Sequence, residues 1–260
     1  MRVAWIGLGS MGRPMALSVV RGGHELRGYA RRPEEHAQLV AEGASVGDDP
    51  VAAVLDAELV CVNLFSEAQV RAVLIDGGVL AAVPAGAIVA IHSTVSPAFV
   101  NELATVRGDV ELIDAGFSGG PDEAQAGALT LMVGGDPTAF DQAWEVFRTY
   151  ADHIAYAGPL GSGMTLKVIN NLTFAANLAI ASDALRLVTA TGVDPEIAAG
   201  VLMRGSAGST ALRIIAKNGA PEAAMTAIAR YLEKDVAIAR AATVGLDLGT
   251  LGDATSGYAA

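Results

Sequence analysis

Short apolar runs alternate with amphipathic stretches along the first part of the chain. Such runs predict strands, and apolar positions about three or four residues apart predict helices. The predicted strands cover residues 3–6, 24–29, 59–64, 87–91, 110–115, 130–133 and 153–156. The predicted helices cover 11–21, 33–42 and 67–74, and a further helix begins at Ser96-Pro97. This alternation is typical of βαβ units, in which helices cover both faces of a parallel sheet.

The pattern changes after residue 158, where a glycine-rich turn is followed by helical periodicity alone. One long helix is predicted over Met164–Thr191 and another over Ala223–Thr243, while Gly205–Ser209 interrupts the helices. We therefore predict an α/β domain over residues 1–158, with a doubly wound, mostly parallel Rossmann sheet. An all-α domain over residues 159–260 follows it.

The first predicted strand is followed by a glycine-rich turn, Gly7-Leu8-Gly9-Ser10-Met11-Gly12. The pattern G-x-G-x-x-G between a strand and a helix predicts a dinucleotide site, whereas alone it could be an ordinary glycine-rich turn. Gly7 allows the tight turn, Gly9 lets the backbone approach the pyrophosphate, and Gly12 lets the helix pack closely on the strand. All six residues are therefore candidate cofactor contacts, because helix N-termini bind phosphates.

The end of the second predicted strand distinguishes the two nicotinamide cofactors. An NAD site usually has an acidic residue about 20 positions after the glycines, where it binds the ribose hydroxyls. Here that place reads Tyr29-Ala30-Arg31-Arg32. Guanidinium groups bind a 2′-phosphate through charge-assisted hydrogen bonds, so NADP is favoured over NAD. The alternative is that both arginines are solvated loop residues.

Charge and composition argue against several function classes. Lys and Arg number 17 and Asp and Glu 28, which gives a net charge of -11. An acidic surface repels phosphate backbones and anionic lipids, so we expect neither a nucleic-acid nor a membrane partner. The histidines lack metal-ligand spacing, and no metal site is predicted. The apolar run at the N-terminus is too short for a secretory signal, and the single Cys61 fits a reducing compartment, so we expect a cytoplasmic protein.

Three further motifs follow the glycine-rich turn. They are His92-Ser93-Thr94-Val95-Ser96-Pro97, Asp114-Ala115-Gly116-Phe117-Ser118-Gly119-Gly120, and Gly161-Ser162-Gly163 with Lys167 and Asn170-Asn171. In this order, and together with residues 7–15, they resemble segments of the β-hydroxyacid dehydrogenase family. That family includes 3-hydroxyisobutyrate dehydrogenase, tartronate semialdehyde reductase and 6-phosphogluconate dehydrogenase. The resemblance covers about residues 1–245.

The resemblance implies a role for each matching residue. Lys167 matches the catalytic lysine, and Asn171 matches the asparagine that contacts the substrate. The segment whose backbone and hydroxyl hold the substrate carboxylate is matched by Ser118, Gly119 and Gly120. The residues that match cofactor contacts are Leu64, Phe65, Thr94 and Lys234, together with Arg31, which matches an arginine of NADP-using members.

The residue types agree with these roles on physical grounds. Lys167 and Asn171 are four positions apart, so both project from one face of a helix. A lysine on an otherwise apolar helix indicates a partner or a task, although a surface lysine is the plain alternative. Ser118-Gly119-Gly120 after a strand can form an anion-binding nest of N–H groups, or simply a turn.

Several positions depart from the family pattern. His92 replaces an aspartate, and we interpret it as structural. Gly116-Phe117 replaces the usual Pro-Val, Phe65 replaces a common proline, and Asp122 adds an acid just beyond the anion-binding glycines. These departures do not change the predicted fold, but the sequence does not identify the substrate.

The sequence predicts an oxidoreductase that transfers hydride between NADP(H) and a small hydroxy acid or semialdehyde, with Lys167 as general acid/base. One alternative is an imine reductase, a related class that generally lacks the lysine. The other is a non-catalytic dinucleotide-binding module. We also expect a homodimer or larger homo-oligomer, because apolar residues surround the helix over Met164–Thr191.

Overall fold

The computed structural model describes residues 1–218 and 221–258. The chain divides into two compact units, Met1–Lys167 and Val168–Ala260. The strands, all in the first unit, are β1 (Arg2–Ile6), β2 (Glu25–Tyr29), β3 (Ser45–Gly47), β4 (Leu59–Val62), β5 (Ile88–Ile91), β6 (Glu111–Ser118), β7 (Leu129–Gly135) and β8 (Ala151–Gly158).

The helices that precede β8 are α1 (Gly12–Arg21), α2 (Ala37–Ala41), α3 (Pro50–Val54), α4 (Glu67–Arg71), α5 (Val79–Ala82), α6 (Pro97–Val106), α7 (Pro121–Ala126) and α8 (Pro137–Phe147). Those that follow it are α9 (Ser162–Ala190), α10 (Pro195–Arg204), α11 (Thr210–Asn218), α12 (Pro221–Ala242) and α13 (Gly249–Ala254). Single turns of 3₁₀-helix cover Pro33–His36 and Ser256–Tyr258, and a π-helical turn covers Ala72–Asp76.

The strands of the first unit form one sheet in the order β3-β2-β1-β4-β5-β6-β7-β8. Neighbouring strands are parallel except β6 and β7, which are antiparallel. The first six strands therefore have the Rossmann order, and the strand order reverses between β1 and β4. The predicted α/β Rossmann fold with a helical C-terminal domain is confirmed.

The sheet is buried on both faces, as its apolar central strands predict. Alternate residues of a strand face opposite sides. In β4, Leu59 and Cys61 join the core under α1, while Val60 and Val62 join the core under α6. All four are completely buried. Cys61 is therefore a small core residue.

One feature differs from the sequence prediction. The strand predicted to end at residue 115 continues to Ser118, because residues 113–118 pair with the antiparallel β7. The chain divides into its two compact units between Lys167 and Val168, inside α9, while the domain boundary at residue 158 stays a prediction. The first turn of α9 belongs to the first unit, because Met164 is buried in the core of the sheet.

The second unit is built from the rest of α9 and from α10 to α13. Its core includes Leu172, Leu178 and Leu185 of α9, packed with Leu212 of α11 and Val236 of α12. The predicted helix over 223–243 corresponds to α12, although the side chains of residues 221–230 lie outside the described ones.

One helix among the described residues, α9, is long and apolar enough by length and composition to cross a membrane. Core helices of soluble proteins meet the same criterion. Polar residues interrupt its apolar surface at Lys167, Asn171, Asp183 and Arg186.

Candidate active site

The glycine-rich turn after β1 has the geometry that a bound pyrophosphate requires. Gly7 has a φ of 105°, and a Cβ atom there would lie 2.3 Å from the carbonyl oxygen of Asn63. A Cβ atom at Gly12 would lie 2.0 Å from the carbonyl oxygen of Gly7, so α1 packs directly on the turn. Around Gly9 there is no atom within 4 Å of a Cβ position. The backbone at Gly9 is therefore open to a ligand, and the turn fits a dinucleotide.

The predicted cofactor contacts Leu64, Phe65 and Thr94 follow the carboxyl ends of β4 and β5, next to the glycine-rich turn. The Leu64 N–H donates to Ser93 Oγ at 2.7 Å, and Ser93 is buried. Phe65 is 40% exposed, while Leu64 and Thr94 are half-buried. These segments line the edge of the sheet where ligands of this fold bind.

The two arginines after β2 differ in their surroundings. Both are exposed. Arg32 forms an ion pair with Glu35, with 2.6 Å between Nη1 and Oε1. Within the described part of the chain Arg31 forms no ion pair, so its guanidinium is the one available to a phosphate.

Lys167 lies on α9 against the end of β6. Its Nζ lies 5.8 Å from the centroid of the Phe117 ring, over the face of the ring. The side-chain stem passes so close to Gly116 that a Cβ atom there would lie 2.8 Å from the Lys167 Cβ. Lys167 is half-buried, so its side chain is in contact with both protein and solvent.

A buried carboxylate holds the start of the helix that carries Lys167. Asp114 in β6 is completely buried, and it accepts hydrogen bonds from the Gly161 N–H at 2.7 Å and from the Met164 N–H. The first N–H groups of a helix have no partner inside it, so Asp114 supplies one. Burial raises the pKa of Asp114, and the backbone hydrogen bonds oppose that rise.

No role for Asp114 was assigned from the sequence. The available signal was a lone carboxylate in an apolar strand, since such a residue is rarely buried without partners.

The predicted substrate loop lies at the end of β6, but one of its N–H groups has an acceptor within the chain. Ser118 is half-buried, and Gly119 has a φ of 125°. The Gly120 N–H donates to Glu123 Oε2 at 2.9 Å. A carboxylate therefore occupies the position that a substrate carboxylate was predicted to take on Gly120.

Asp122 was the acid identified from the sequence, and Glu123 was not. A glutamate three positions after the N-cap of a helix is the signal that could have identified it.

The second unit contains a polar cluster on α9 and α12. Asn171 is buried, and its Nδ2 donates to Asp235 Oδ2 at 2.7 Å. Asn170 Nδ2 donates to the Asn171 Oδ1 at 3.2 Å, so both ends of the Asn171 amide are held. Lys234 Nζ lies 2.9 Å from Asp235 Oδ1. Asp235 thus orients the predicted substrate-contacting amide and pairs with the predicted cofactor-binding lysine.

His92 is a core residue whose two ring nitrogens are both hydrogen-bonded. Nδ1 lies 2.7 Å from the Ala115 carbonyl oxygen, and Nε2 lies 3.1 Å from the Tyr150 hydroxyl. The ring stacks on Trp5 with centroids 5.8 Å apart. Burial lowers the pKa of His92 to about 4, so the ring is neutral near pH 7. In its neutral form Nδ1–H donates to Ala115, and Nε2 accepts from Tyr150.

Comparison with known proteins agrees with this geometry. Residues 2–158 match the model of the NAD binding domain of 6-phosphogluconate dehydrogenase. Residues 161–256 match the NAD-binding domain of NADP-dependent 3-hydroxyisobutyrate dehydrogenase. The chain belongs to the β-hydroxyacid dehydrogenase family. The resemblance stated from the sequence motifs is thereby confirmed.

Family members with named activities are about one-third identical to the chain over the aligned residues. An NAD-dependent L-serine dehydrogenase of Pseudomonas aeruginosa is 35% identical over 82% of the chain and 72% of the relative. A 3-hydroxyisobutyrate dehydrogenase of the same organism is 32% identical over the same shares.

A solved structure of Mycobacterium tuberculosis 3-hydroxyisobutyrate dehydrogenase with L-serine superposes with a TM-score of 0.85 at 26% identity. The match covers 99% of the chain and 92% of that structure. The chain is therefore an NAD(P)-dependent enzyme that acts on CH–OH groups.

Proposed function

We propose that the enzyme transfers a hydride between NADP(H) and a small hydroxy acid or semialdehyde, with Lys167 as the general acid/base. The observation that carries the proposal is the placement of Lys167. It lies on a helix whose first turn is held by the buried Asp114, and against the strand that ends in the loop at Ser118. Rigidly held side chains are what proton transfer at a defined atom requires.

Residues 7–12 would hold the pyrophosphate, and Arg31 the 2′-phosphate. The bound nicotinamide supplies or accepts the hydride. In the reducing direction Lys167 donates a proton to the carbonyl oxygen, and in the oxidising direction it accepts the hydroxyl proton. Asn171 orients the same oxygen. Ser118 Oγ and the N–H of Gly119 anchor the carboxylate, with the N–H of Gly120 joining them once Glu123 has moved aside.

The enzyme would work as a homodimer or larger homo-oligomer in the cytoplasm. Support for self-association comes from large apolar side chains on the surface of the second unit. Ile180 and Leu187 of α9 are 56% and 59% exposed, and Ile197 and Val201 of α10 are 66% and 65% exposed. Apolar surface of this kind is commonly covered by a partner.

The decisive experiment is turnover of a panel of small 2- and 3-hydroxy acids and semialdehydes by wild type, Lys167→Ala and Asn171→Ala. Lys167→Ala should keep NADPH affinity while kcat/KM falls by about a hundredfold or more, since a general acid contributes about two to four powers of ten. The fall in kcat/KM should be smaller for Asn171→Ala. Lys217→Ala, which removes an exposed lysine of α11, is the control and should retain wild-type kcat/KM.

Other outcomes identify the alternatives. An imine reductase would turn over cyclic imines and tolerate Lys167→Ala, and a binding module would show no turnover in any form. Near-wild-type oxidation of a hydroxy acid by Lys167→Ala would refute the proposed role of Lys167.

A further inference from the structure

Two neighbouring departures from the family pattern, Gly116 and Phe117, both contact the same lysine. Gly116 is buried in β6 beside the aliphatic stem of Lys167, and the Phe117 ring lies under its ammonium group. The contacts join residues about 50 positions apart in the chain. The family pattern has proline and valine at these positions. A proline Cβ at 116 would crowd the aliphatic stem of Lys167, and a valine at 117 would offer its ammonium group no ring.

The contact between Lys167 and Phe117 has the geometry of a cation–π interaction. A cation within about 6 Å of a ring centroid is attracted by the electron-rich face of the ring. The observed distance of 5.8 Å lies near the outer limit. The interaction therefore has an energy at the weak end of the cation–π range. Such an energy can shift the titration of the lysine ammonium group, but it contributes little to the stability of the fold.

Phe117 is itself held in place from two sides. Its backbone pairs with Leu131 of β7, and its ring lies 6.3 Å from the ring of His92. His92 in turn is hydrogen-bonded to the carbonyl of Ala115, two residues before Phe117. The ring is thus a rigid platform and not a mobile surface side chain.

We propose that Phe117 is a positioning residue for proton transfer, which holds the Lys167 ammonium over its ring face and stabilises its positive charge, and that glycine at 116 is required for Lys167 to reach that place. The proposal rests on the proposed function, since it assigns Phe117 a task only if Lys167 transfers the proton. It gives both departures a role at the same lysine.

The test compares the pH profiles of Phe117→Leu and Phe117→Tyr with that of wild type. Leucine keeps the apolar bulk and removes the ring face, whereas tyrosine keeps the face. In the reducing direction activity falls as the lysine loses its proton at high pH. For Phe117→Leu the midpoint of that fall should move about half a pH unit lower. Phe117→Tyr keeps the ring face and adds a phenol whose ionised form favours the lysine cation, so it should show no downward shift.

The other titrating groups near this part of α9 are the same in Phe117→Leu and in wild type. Asp114 of β6 bonds the backbone of α9, and His92 contacts the Phe117 ring. Both remain in Phe117→Leu, so a difference between this variant and wild type reports the ring. Equal midpoints in Phe117→Leu and wild type would overturn the proposal, even if kcat fell. A purely structural role lowers activity without moving the pH at which activity falls.

Gly116→Ala tests the second half of the proposal. The added Cβ would lie 2.8 Å from the Lys167 Cβ and 3.0 Å from its Cγ, so the lysine must move. We expect kcat to fall at least about tenfold with the NADPH Kd unchanged, because the proton donor is displaced while the glycine-rich turn is untouched. Gly108→Ala, where a Cβ meets no atom within 4 Å, is the matched control and should keep wild-type kcat. Wild-type kcat in Gly116→Ala would overturn this half.

Lys167→Ala separates failure of this inference from failure of the proposed function. If Lys167→Ala keeps its turnover and still loses activity at high pH, that loss belongs to another titrating group and the proposed function fails. If Lys167→Ala loses its turnover while Phe117→Leu titrates like wild type, the proposed function stands and the role of Phe117 is refuted.

Discussion

The carboxylate of Asp114 accepts the backbone N–H of Gly161 at 2.7 Å, across 47 positions of the chain. This hydrogen bond ties the strand that ends in the predicted substrate loop to the helix that carries Lys167. One buried side chain thereby positions two parts of the candidate active site.

Removing this carboxylate should destabilise the protein and lower turnover. Asp114→Ala leaves the N–H groups of Gly161 and Met164 without an acceptor, and each buried unsatisfied donor costs about 1–3 kcal/mol. Asp114→Asn keeps one acceptor and should cost less. Chemical denaturation measures the loss, with Asp48→Asn, an exposed carboxylate, as the control expected to stay within about 0.5 kcal/mol of wild type. Equal stability of Asp114→Ala and wild type would show that the helix needs no such anchor.

The buried His92 should make stability depend on pH. Its pKa is about 4 in the folded protein and 6.5 when unperturbed. Between these values the unfolded state binds a proton that the folded state does not, so the folded state loses stability as pH falls from about 6.5 to about 4. The pKa difference corresponds to about 3 kcal/mol. The stability difference between wild type and His92→Gln should shrink by up to that amount over this range.

The matched control for this prediction is His153→Gln, which removes an exposed histidine of β8. That variant should follow the wild-type pH dependence. A constant difference between wild type and His92→Gln across the range would mean that His92 takes up its proton equally in both states.

Cofactor preference should depend on Arg31 more than on Arg32. The Arg32 guanidinium is already paired with Glu35, so its transfer to a phosphate gives up an existing interaction. Arg31→Ala should weaken NADPH binding by about 1.5–3 kcal/mol, or roughly one to two powers of ten, with little effect on NADH. Fluorescence titration of both cofactors measures this. Equal affinities of the wild type for NADPH and NADH would rule out a 2′-phosphate site.

Glu123 should oppose the binding of carboxylate substrates. Its carboxylate accepts the hydrogen bond of the Gly120 N–H. A second negative charge close by at the surface weakens the binding of a substrate carboxylate by roughly 1 kcal/mol. Glu123→Gln should therefore lower KM for a hydroxy acid about fivefold. Asp122→Asn removes the same charge from the neighbouring position, which does not accept from that N–H, so its effect should be smaller. An unchanged KM in Glu123→Gln would indicate that the carboxylate is anchored elsewhere.

Self-association should depend on the apolar surface of the second unit. Leu187→Glu places a charge on α9 where the side chain is 59% exposed, so it should lower the mass measured by light scattering without unfolding the chain. Val106→Glu, at an exposed apolar residue of α6, is the control and should leave the mass unchanged. A monomeric wild type at micromolar concentration would contradict the expected oligomer.

Much of the fold could be predicted because its determinants are local. The glycine spacing from Gly7 to Gly12 and the apolar runs of β1, β4 and β5 are patterns of neighbouring residues, and the strand order follows from repeated βαβ units. Family motifs then located Lys167 and Asn171 on one helix. The Glu123 contact with Gly120 is equally local and could have been identified from its three-residue spacing.

By itself, then, the sequence determined the Rossmann fold, the dinucleotide-binding turn and the candidate catalytic lysine. The tertiary structure alone decided what surrounds that lysine. Asp114 meets Gly161, Phe117 meets Lys167, and His92 meets Tyr150 only after the sheet has formed, because each pair is separated by about 50 positions. Such contacts depend on which strands become neighbours and how a helix packs on them, and no short-range pattern of residues records that.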